Sequence, residues 1–339
     1  MRVGGDGEPR HRDRSPAPRA RSSSAGAAGR RPFRARGAGI TAPVGGGRRR
    51  IAIAANPYGG AESHRRPAEA LAAALARRGL LPHVFWERSE RRRALADPDL
   101  GRSWRCAVAV GGDGTVADVI NEMPPGLPLA VLPAGNENLF ARALGSPDDP
   151  ETLAAAILTG RTRRIDLGRA GRRLFSLMVG IGFDAEVAHR VARRRRGPGS
   201  FRPVSRWRYL LPILGALRRL PPGPVEVRAD GVRARGAHCL VFNLPSYACA
   251  LPVAADARPD DGLLDWIVLE RPGRLALARY SLAVLRSAHL GRSDVRHGRA
   301  RHLRIVGGPL VPVQLDGDPA GFTPVEIEVL AAALAVIVP

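Results

Sequence analysis

The stretch that most restricts how this chain can fold runs from Cys106 to Met123, Cys-Ala-Val-Ala-Val-Gly-Gly-Asp-Gly-Thr-Val-Ala-Asp-Val-Ile-Asn-Glu-Met. Its first five residues, small and β-branched, read as a buried strand, whereas Val116, Val119, Ile120 and Met123 recur at helical spacing. A strand therefore passes into a helix through Gly111, Gly112, Asp113, Gly114 and Thr115. Glycines at such a junction allow positive φ and bring bare N–H groups against a ligand, and the positive end of the following helix favours an anion. Asp113 would repel a bare phosphate, so the loop points to a nucleotide accompanied by a divalent cation. The alternative is a tight turn with a solvated aspartate.

The same arrangement recurs on either side. Arg50 to Ala55 reads as a strand that ends in Asn56, Pro57, Tyr58, Gly59 and Gly60, followed by a helix from about Pro67 to Arg78. Leu129 to Leu132 is a strand leading into the polar turn of Gly135, Asn136, Glu137 and Asn138, with Asn138 placed to cap the next helix. With a strand at Pro82 to Trp86 and a helix at Arg88 to Leu95, the rhythm is that of a parallel sheet covered on both faces. Ligands of such sheets bind beyond the carboxyl ends of the strands, where all three turns fall.

After a helix around Pro150 to Leu158 the period changes to short strands divided by turns, at 164–168, 174–180, 225–228, 238–243, 264–269, 303–306, 311–315 and 325–330. Helical segments interrupt them at Ala185 to Arg195 and Trp207 to Leu220. The expected fold class is an α/β N-terminal domain with a parallel, nucleotide-binding sheet over residues 49–163, and a mainly antiparallel β-sandwich C-terminal domain over 164–322. Residues 1–48, Arg-, Gly-, Ser- and Pro-rich with almost no large apolar side chain, are expected to form a disordered basic tail.

Charge narrows the chemistry. The net charge is +22, yet no lysine occurs, so the basic residues are all arginine. A Walker-type lysine, a Schiff-base lysine and the strand lysine of protein kinases are thereby excluded. Phosphate binding must rest on backbone amides, arginine and metal. The all-arginine usage looks like a coding bias, so no specific nucleic acid partner is expected, while anionic lipid headgroups remain suited to a basic surface. Cys106, Cys239 and Cys249 lack metal-ligand spacing and read as reduced thiols of a cytoplasmic protein. No membrane span or secretory h-region is seen, and the Trp- and Tyr-bearing helix at 207–220, flanked by arginines, would either pack on the sandwich or lie in a membrane interface. The sequence leaves a homodimer open.

Several motifs in order resemble the diacylglycerol kinase catalytic family, which includes sphingosine and bacterial lipid kinases. Asn56-Pro57-Tyr58-Gly59-Gly60 is similar to its nucleotide loop, Gly111-Gly112-Asp113-Gly114-Thr115 matches its phosphate-binding loop, and the run from Pro133 to Arg142 is similar to a third signature. Gly180 to Ala185, Pro259 to Asp265 and Leu315-Asp316-Gly317-Asp318 resemble signatures of the second domain. The resemblance implies ATP held between the domains with its phosphates on Gly112 to Thr115, Mg2+ near Asp113, and a terminal strand over 323–339 returning to the first domain. It implies a membrane lipid of diacylglycerol or sphingoid type as acceptor, with peripheral membrane association, and a carboxylate, here Asp318, as the base that takes the hydroxyl proton. A second, structural Mg2+ would map to Asp261 and the carbonyl of Leu263, where Arg258 stands near an expected acidic ligand. Asn136 replaces a threonine, Leu139 an acidic residue, and Asp318 a glutamate, which draws its carboxylate back by about 1.5 Å. An NAD kinase-like enzyme and a non-catalytic binder of nucleotide or anionic lipid are the alternatives.

Overall fold

Three apolar runs, each buried almost end to end, build the first sheet: β1 (Arg50–Ala55), β3 (Trp104–Gly111) and β4 (Leu129–Pro133). Strands covered on both faces need such unbroken runs, whereas β2 (Leu81–Phe85), which alternates exposed and covered residues, lies at the edge. The four pair in parallel in the order β2, β1, β3, β4. The computed structural model describes residues 47–55, 61–97, 102–195, 223–247, 250–308 and 311–339. The expected tail up to residue 46, the turn from Asn56 to Gly60, the helix from Trp207 to Leu220 and Cys249 lie outside them.

Helices α1 (Ala61–Arg77), α2 (Arg88–Ala96), α3 (Asp113–Glu122), α4 (Leu139–Leu144) and α5 (Pro150–Thr159) accompany these strands. Helix α1 starts before the expected Pro67 and carries that proline inside it. The proline removes one backbone hydrogen bond, but Ala68, Leu71, Ala74 and Leu75 form a fully buried stripe that holds the helix in place. Helix α5 has conventional ends: Asp149 accepts from Thr152 N at 2.8 Å, Pro150 is the first helical residue, and Gly160 closes the helix at φ 67°.

The second half contains β5 (Thr162–Ala170), β6 (Arg173–Phe175), β7 (Met178–Ile181), α6 (Phe183–Arg195), β8 (Val225–Ala229), β9 (Val232–Gly236) and β10 (His238–Phe242). There follow β11 (Ser246–Tyr247), β12 (Leu251–Pro252), β13 (Leu264–Leu269), α7 (Arg274–Leu285), β14 (Val295–Ala300), β15 (His302–Gly307), β16 (Pro312–Leu315), β17 (Asp318–Phe322) and β18 (Val325–Ile337). A six-stranded antiparallel sheet runs β14, β13, β10, β7, β16, β17. It shares a core with β8, β15 and β18 through Val179, Val241, Trp266 and Val313 on one side and Val227, Leu303, Ile305 and Ile327 on the other. The fold is thus a parallel α/β half followed by an antiparallel, sandwich-like half. Strand β18 carries the first sheet on into the second half: it runs antiparallel to β15 and β5, then parallel to β4 with Val336 opposite Leu129, so that β2, β1, β3, β4, β18, β15, β8 and β9 follow one another in a single sheet.

The hairpin between β16 and β17 turns through Asp316 and Gly317, both at positive φ (49° and 89°), as a two-residue primed turn requires. The Asp316 carboxylate is buried there and accepts from Ser176 N (2.8 Å), Leu177 N (2.9 Å), Met178 N (2.9 Å) and Ser176 Oγ (3.2 Å). Burial raises its pKa, against the pull of those four hydrogen bonds. Asp316→Ala leaves buried amides without an acceptor and is expected to cost about 3 kcal/mol or more in urea unfolding; a loss under about 1 kcal/mol would show the turn does not depend on this carboxylate.

Candidate active site

Strands β1, β3 and β4 end side by side, with Ala55 opposite Val110 and Gly111 opposite Pro133, so the turns that follow β3 and β4 meet at one sheet edge. Ala134 N donates to Gly111 O at 3.0 Å. The two turns then touch glycine to glycine. A Cβ on Gly135 would overlap Gly112 Cα, and one on Gly112 would come within 3.2 Å of Gly135 Cα. Gly112 itself has φ −93°, so the sequence-based reason for glycine at this position, positive φ, gives way to close backbone approach.

Asp113 fastens this contact. Its Oδ2 accepts from Leu139 N at 3.0 Å and its Oδ1 from Phe140 N at 2.9 Å, so it supplies the N-terminal acceptor of α4 from another helix. Burial raises its pKa, opposed by those two amides and reinforced by the nearby charge of Glu137. Asn138 occupies the cap position at φ 51°, but its side chain makes no cap hydrogen bond. Instead its Oδ1 accepts from Gly135 N (2.9 Å) and its Nδ2 donates to Gly135 O (2.8 Å), closing the turn on itself. Thr115 is buried, and Gly114 is exposed with open space beside it. His64, which the sequence reading passed over, lies buried on α1 with Nε2 2.7 Å from Ala134 O and ties the first helix to the third turn.

The second half presents Asp318 to this region. Its carboxylate, 47% exposed, lies 4.0 Å from Arg173 Nη2, and its charge acts on Asp118 of α3 and Arg88 of α2. Asp118, whose pKa is raised by burial and by the Glu122 and Asp318 charges against the pull of Arg88, is 2.7 Å from Arg88 Nη2. Buried Glu122 takes Arg88 Nε on one oxygen (2.8 Å) and Arg91 Nε on the other (2.7 Å), anchoring α2 to α3. Asn121 makes the seam between halves: its Nδ2 donates to Leu174 O (2.9 Å) and its Oδ1 accepts from Leu174 N (2.9 Å). Nothing in the sequence marked Asn121 or Glu122, because their partners lie 53 and 34 residues away.

Behind the Asp318 turn, Gln314 Oε1 accepts from Gly317 N (2.7 Å) while its Nε2 donates to Asp184 Oδ2 (2.7 Å). Tyr247 donates its hydroxyl to the other oxygen of Asp184. Full burial pushes the Asp184 carboxyl up to about 6, against the Gln314 hydrogen bond. His238, whose Nδ1 accepts from Phe183 N (3.1 Å), is pushed down to about 4 by burial.

Asp261 and Leu263 stand elsewhere, among carboxylates. Leu263 N donates to Asp261 Oδ1 (3.1 Å), and Asp166, its pKa raised mainly by burial, also feels Asp261 and Asp260. Arg299 reaches into the group, with Nε 3.2 Å from Asp265 Oδ1 and Nη1 3.7 Å from Asp261 Oδ2, and Arg163 pairs with Asp260 at 2.7 Å. Among the described residues no set of three or more His, Cys, Asp or Glu side chains is arranged to hold a metal ion.

Comparison with known proteins agrees with this architecture. Residues 50–170 match the diacylglycerol kinase catalytic domain, and residues 177–338 match the YegS C-terminal NAD kinase beta sandwich-like domain. A Mycobacterium tuberculosis protein named diacylglycerol kinase is 31% identical over 257 residues, covering 73% of this chain and 81% of its own length. A Bacillus subtilis diacylglycerol kinase is 28% identical over 244 residues, covering 70% of this chain and 79% of its own. A solved structure from Bacillus anthracis, assigned as a diacylglycerol kinase, covers 86% of this chain and 95% of its own with a TM-score of 0.67 at 22% identity, a likeness of fold.

Asp184 and His238 titrate in opposite senses. Asp184 binds its proton more tightly when folded, so its contribution is full below its ordinary value of 3.8 and is lost as pH rises through about 6. The contribution of His238 is full above its ordinary value of 6.5 and is lost as pH falls toward about 4. Asp184→Asn removes the first slope. Relative to wild type, its stability is expected to climb by a few kcal/mol between about pH 4 and pH 6 in denaturant titrations; an unchanged pH profile would contradict the burial of a titrating Asp184.

Proposed function

We propose that the protein is a lipid kinase, a reading that starts from the fact that the chain belongs to the diacylglycerol kinase family. The donor is ATP and the acceptor the hydroxyl of a membrane lipid of diacylglycerol or sphingoid type. The reading is supported above all by one observation: the Asp318 carboxylate lies 4.0 Å from Arg173, next in the chain to Leu174, which Asn121 of the helix that leaves the glycine loop holds by both backbone groups. In the transfer, the lipid oxygen bonds to the γ-phosphorus, the bond from that phosphorus to the β–γ bridging oxygen breaks to release ADP, and the hydroxyl proton passes to Asp318.

The chain's own groups do the positioning. Amides of Gly112 to Gly114 at the start of α3, in a chain without lysine, receive the phosphates, the Thr115 amide being engaged by Gly112 O at 2.9 Å, with Asn136, Glu137 and Asn138 on the adjoining turn and the Asn56 to Gly60 loop as the remaining nucleotide contacts. Asp113 and Glu137 fit a magnesium ion brought with ATP: each oxygen of Asp113 retains a lone pair beyond its amide bond, and two neighbouring acidic groups favour a divalent cation. Bound there, the metal would neutralise phosphate charge. The donors around Asp261 and Leu263 suit a resident magnesium poorly, since Arg299 and Arg163 already balance those carboxylates. Work at a bilayer surface from the ATP-containing cytoplasm follows, with peripheral attachment; no helix among the described residues is long and apolar enough to cross a membrane.

With labelled ATP and magnesium, the protein is expected to phosphorylate diacylglycerol or a sphingoid base in mixed micelles and to leave NAD unlabelled. Asp318→Asn should lower kcat by roughly 10²-fold or more with little change in the KM for ATP. Label on NAD alone, or a full rate in Asp318→Asn, would overturn the acceptor or the base assignment respectively. In nucleotide-free protein the Tm is expected to be equal in magnesium and in EDTA, whereas Arg299→Gln should melt several degrees lower and recover with magnesium. A wild-type Tm that rises on adding magnesium would restore the resident metal.

A further inference from the structure

Helix α7 has two unlike faces. Ala276, Leu277, Tyr280 and Ala283 are buried, and Tyr280 is fixed by accepting from Arg271 N (3.0 Å) and donating to Asp294 O (3.2 Å). Ala276 and Tyr280 belong to the same packed cluster as Leu139 and Phe140, the first residues of the helix that Asp113 caps. The outer face carries Leu275, Leu282 and Leu285, exposed by 76%, 47% and 66%. Single exposed leucines are ordinary. Here, however, three of the eight large exposed apolar side chains among the described residues fall on one twelve-residue helix. At about 100° per residue they share an arc of roughly 120° with Arg279 and Arg286. Both arginines are exposed, and neither forms an ion pair among the described residues. No acidic residue occurs between Glu270 and Asp294, while five arginines do.

We infer that the outer face of α7 is a docking surface for an anionic lipid bilayer, with Leu275, Leu282 and Leu285 entering the headgroup boundary and Arg279 and Arg286 meeting lipid phosphates. An apolar stripe bordered by arginine is the pattern of a helix lying in a membrane interface, and each basic residue near an anionic leaflet adds to attachment. A second copy of the chain is disfavoured as the occupant, because a two-fold contact would set Arg279 and Arg286 of one copy against the same residues of the other. The inference deepens the lipid-kinase reading by giving it a surface on which the acceptor is met, in residues distinct from those of the site.

The test is sedimentation of the full-length protein, without ATP, with phosphatidylcholine vesicles and with vesicles of mixed phosphatidylglycerol and phosphatidylcholine. Wild type is expected to bind the mixed vesicles more tightly, and less so in high salt. The combined Leu275→Ser, Leu282→Ser and Leu285→Ser variant should bind them at least about tenfold more weakly. Arg279→Glu with Arg286→Glu should lose a similar factor on mixed vesicles and little on phosphatidylcholine. Both variants should keep the wild-type melting transition and their rate on a water-soluble short-chain acceptor. Unchanged vesicle binding by the leucine variant would overturn the inference, as would a wild-type dimer that this variant dissociates without altering vesicle binding. Absence of phosphorylation with vesicle binding intact would instead remove the kinase reading and leave the surface standing.

Discussion

The two amide hydrogen bonds received by the Asp113 carboxylate, from Leu139 and Phe140, are the contact on which the rest of the site depends. They convert two separate strand-to-helix turns into one rigid floor. Because Gly112 and Gly135 approach without side chains between them, the floor presents main-chain groups at the sheet edge. An aspartate in such a loop is usually considered for its affinity for metal. Here it has a structural task, to accept the Leu139 and Phe140 amides.

On the proposed reading, a phosphate site made of main-chain amides does not need an ammonium group, which suits a chain with no lysine. On that reading the second half of the fold supplies the acidic group, Asp318, held beside Arg173. Three attachments fix that group's position: β18 completing the sheet beside β4, Asn121 pairing with both backbone groups of Leu174, and Asp316 gathering the amides of Ser176 to Met178. The last of these holds the turn from which Asp318 projects. A reaction that needs donor and acceptor groups aligned to within a fraction of an ångström is helped by such cross-linking.

Much of this was legible in the residues. The parallel strands announce themselves as unbroken apolar runs, and β13 matches the strand expected at 264–269, with Leu264, Trp266 and Val268 together in one packed core. The glycine loop and the Asp316-Gly317 turn carried local signatures. What escaped was set by distant partners: Asp113 finds its amides 26 and 27 residues away, and the cap expected of Asn138 was taken over by it. Helix α7 and strand β14 also went unforeseen. The Leu-Ala-Leu-Ala start of α7 fits either period, and its outward leucines blur the stripe that would have marked a helix. Strand β14 carries two arginines, a histidine and a glycine because it is an edge, where apolar alternation is not required.

Hydrogen–deuterium exchange over residues 133–144, in protein free of both nucleotide and metal, tests the role given to Asp113 most directly. Asp113→Ala is expected to speed exchange of the Leu139 and Phe140 amides and to loosen the turn around Gly135, while the sandwich strands keep their protection. Exchange in that segment equal to wild type would show that the two turns hold together without the carboxylate.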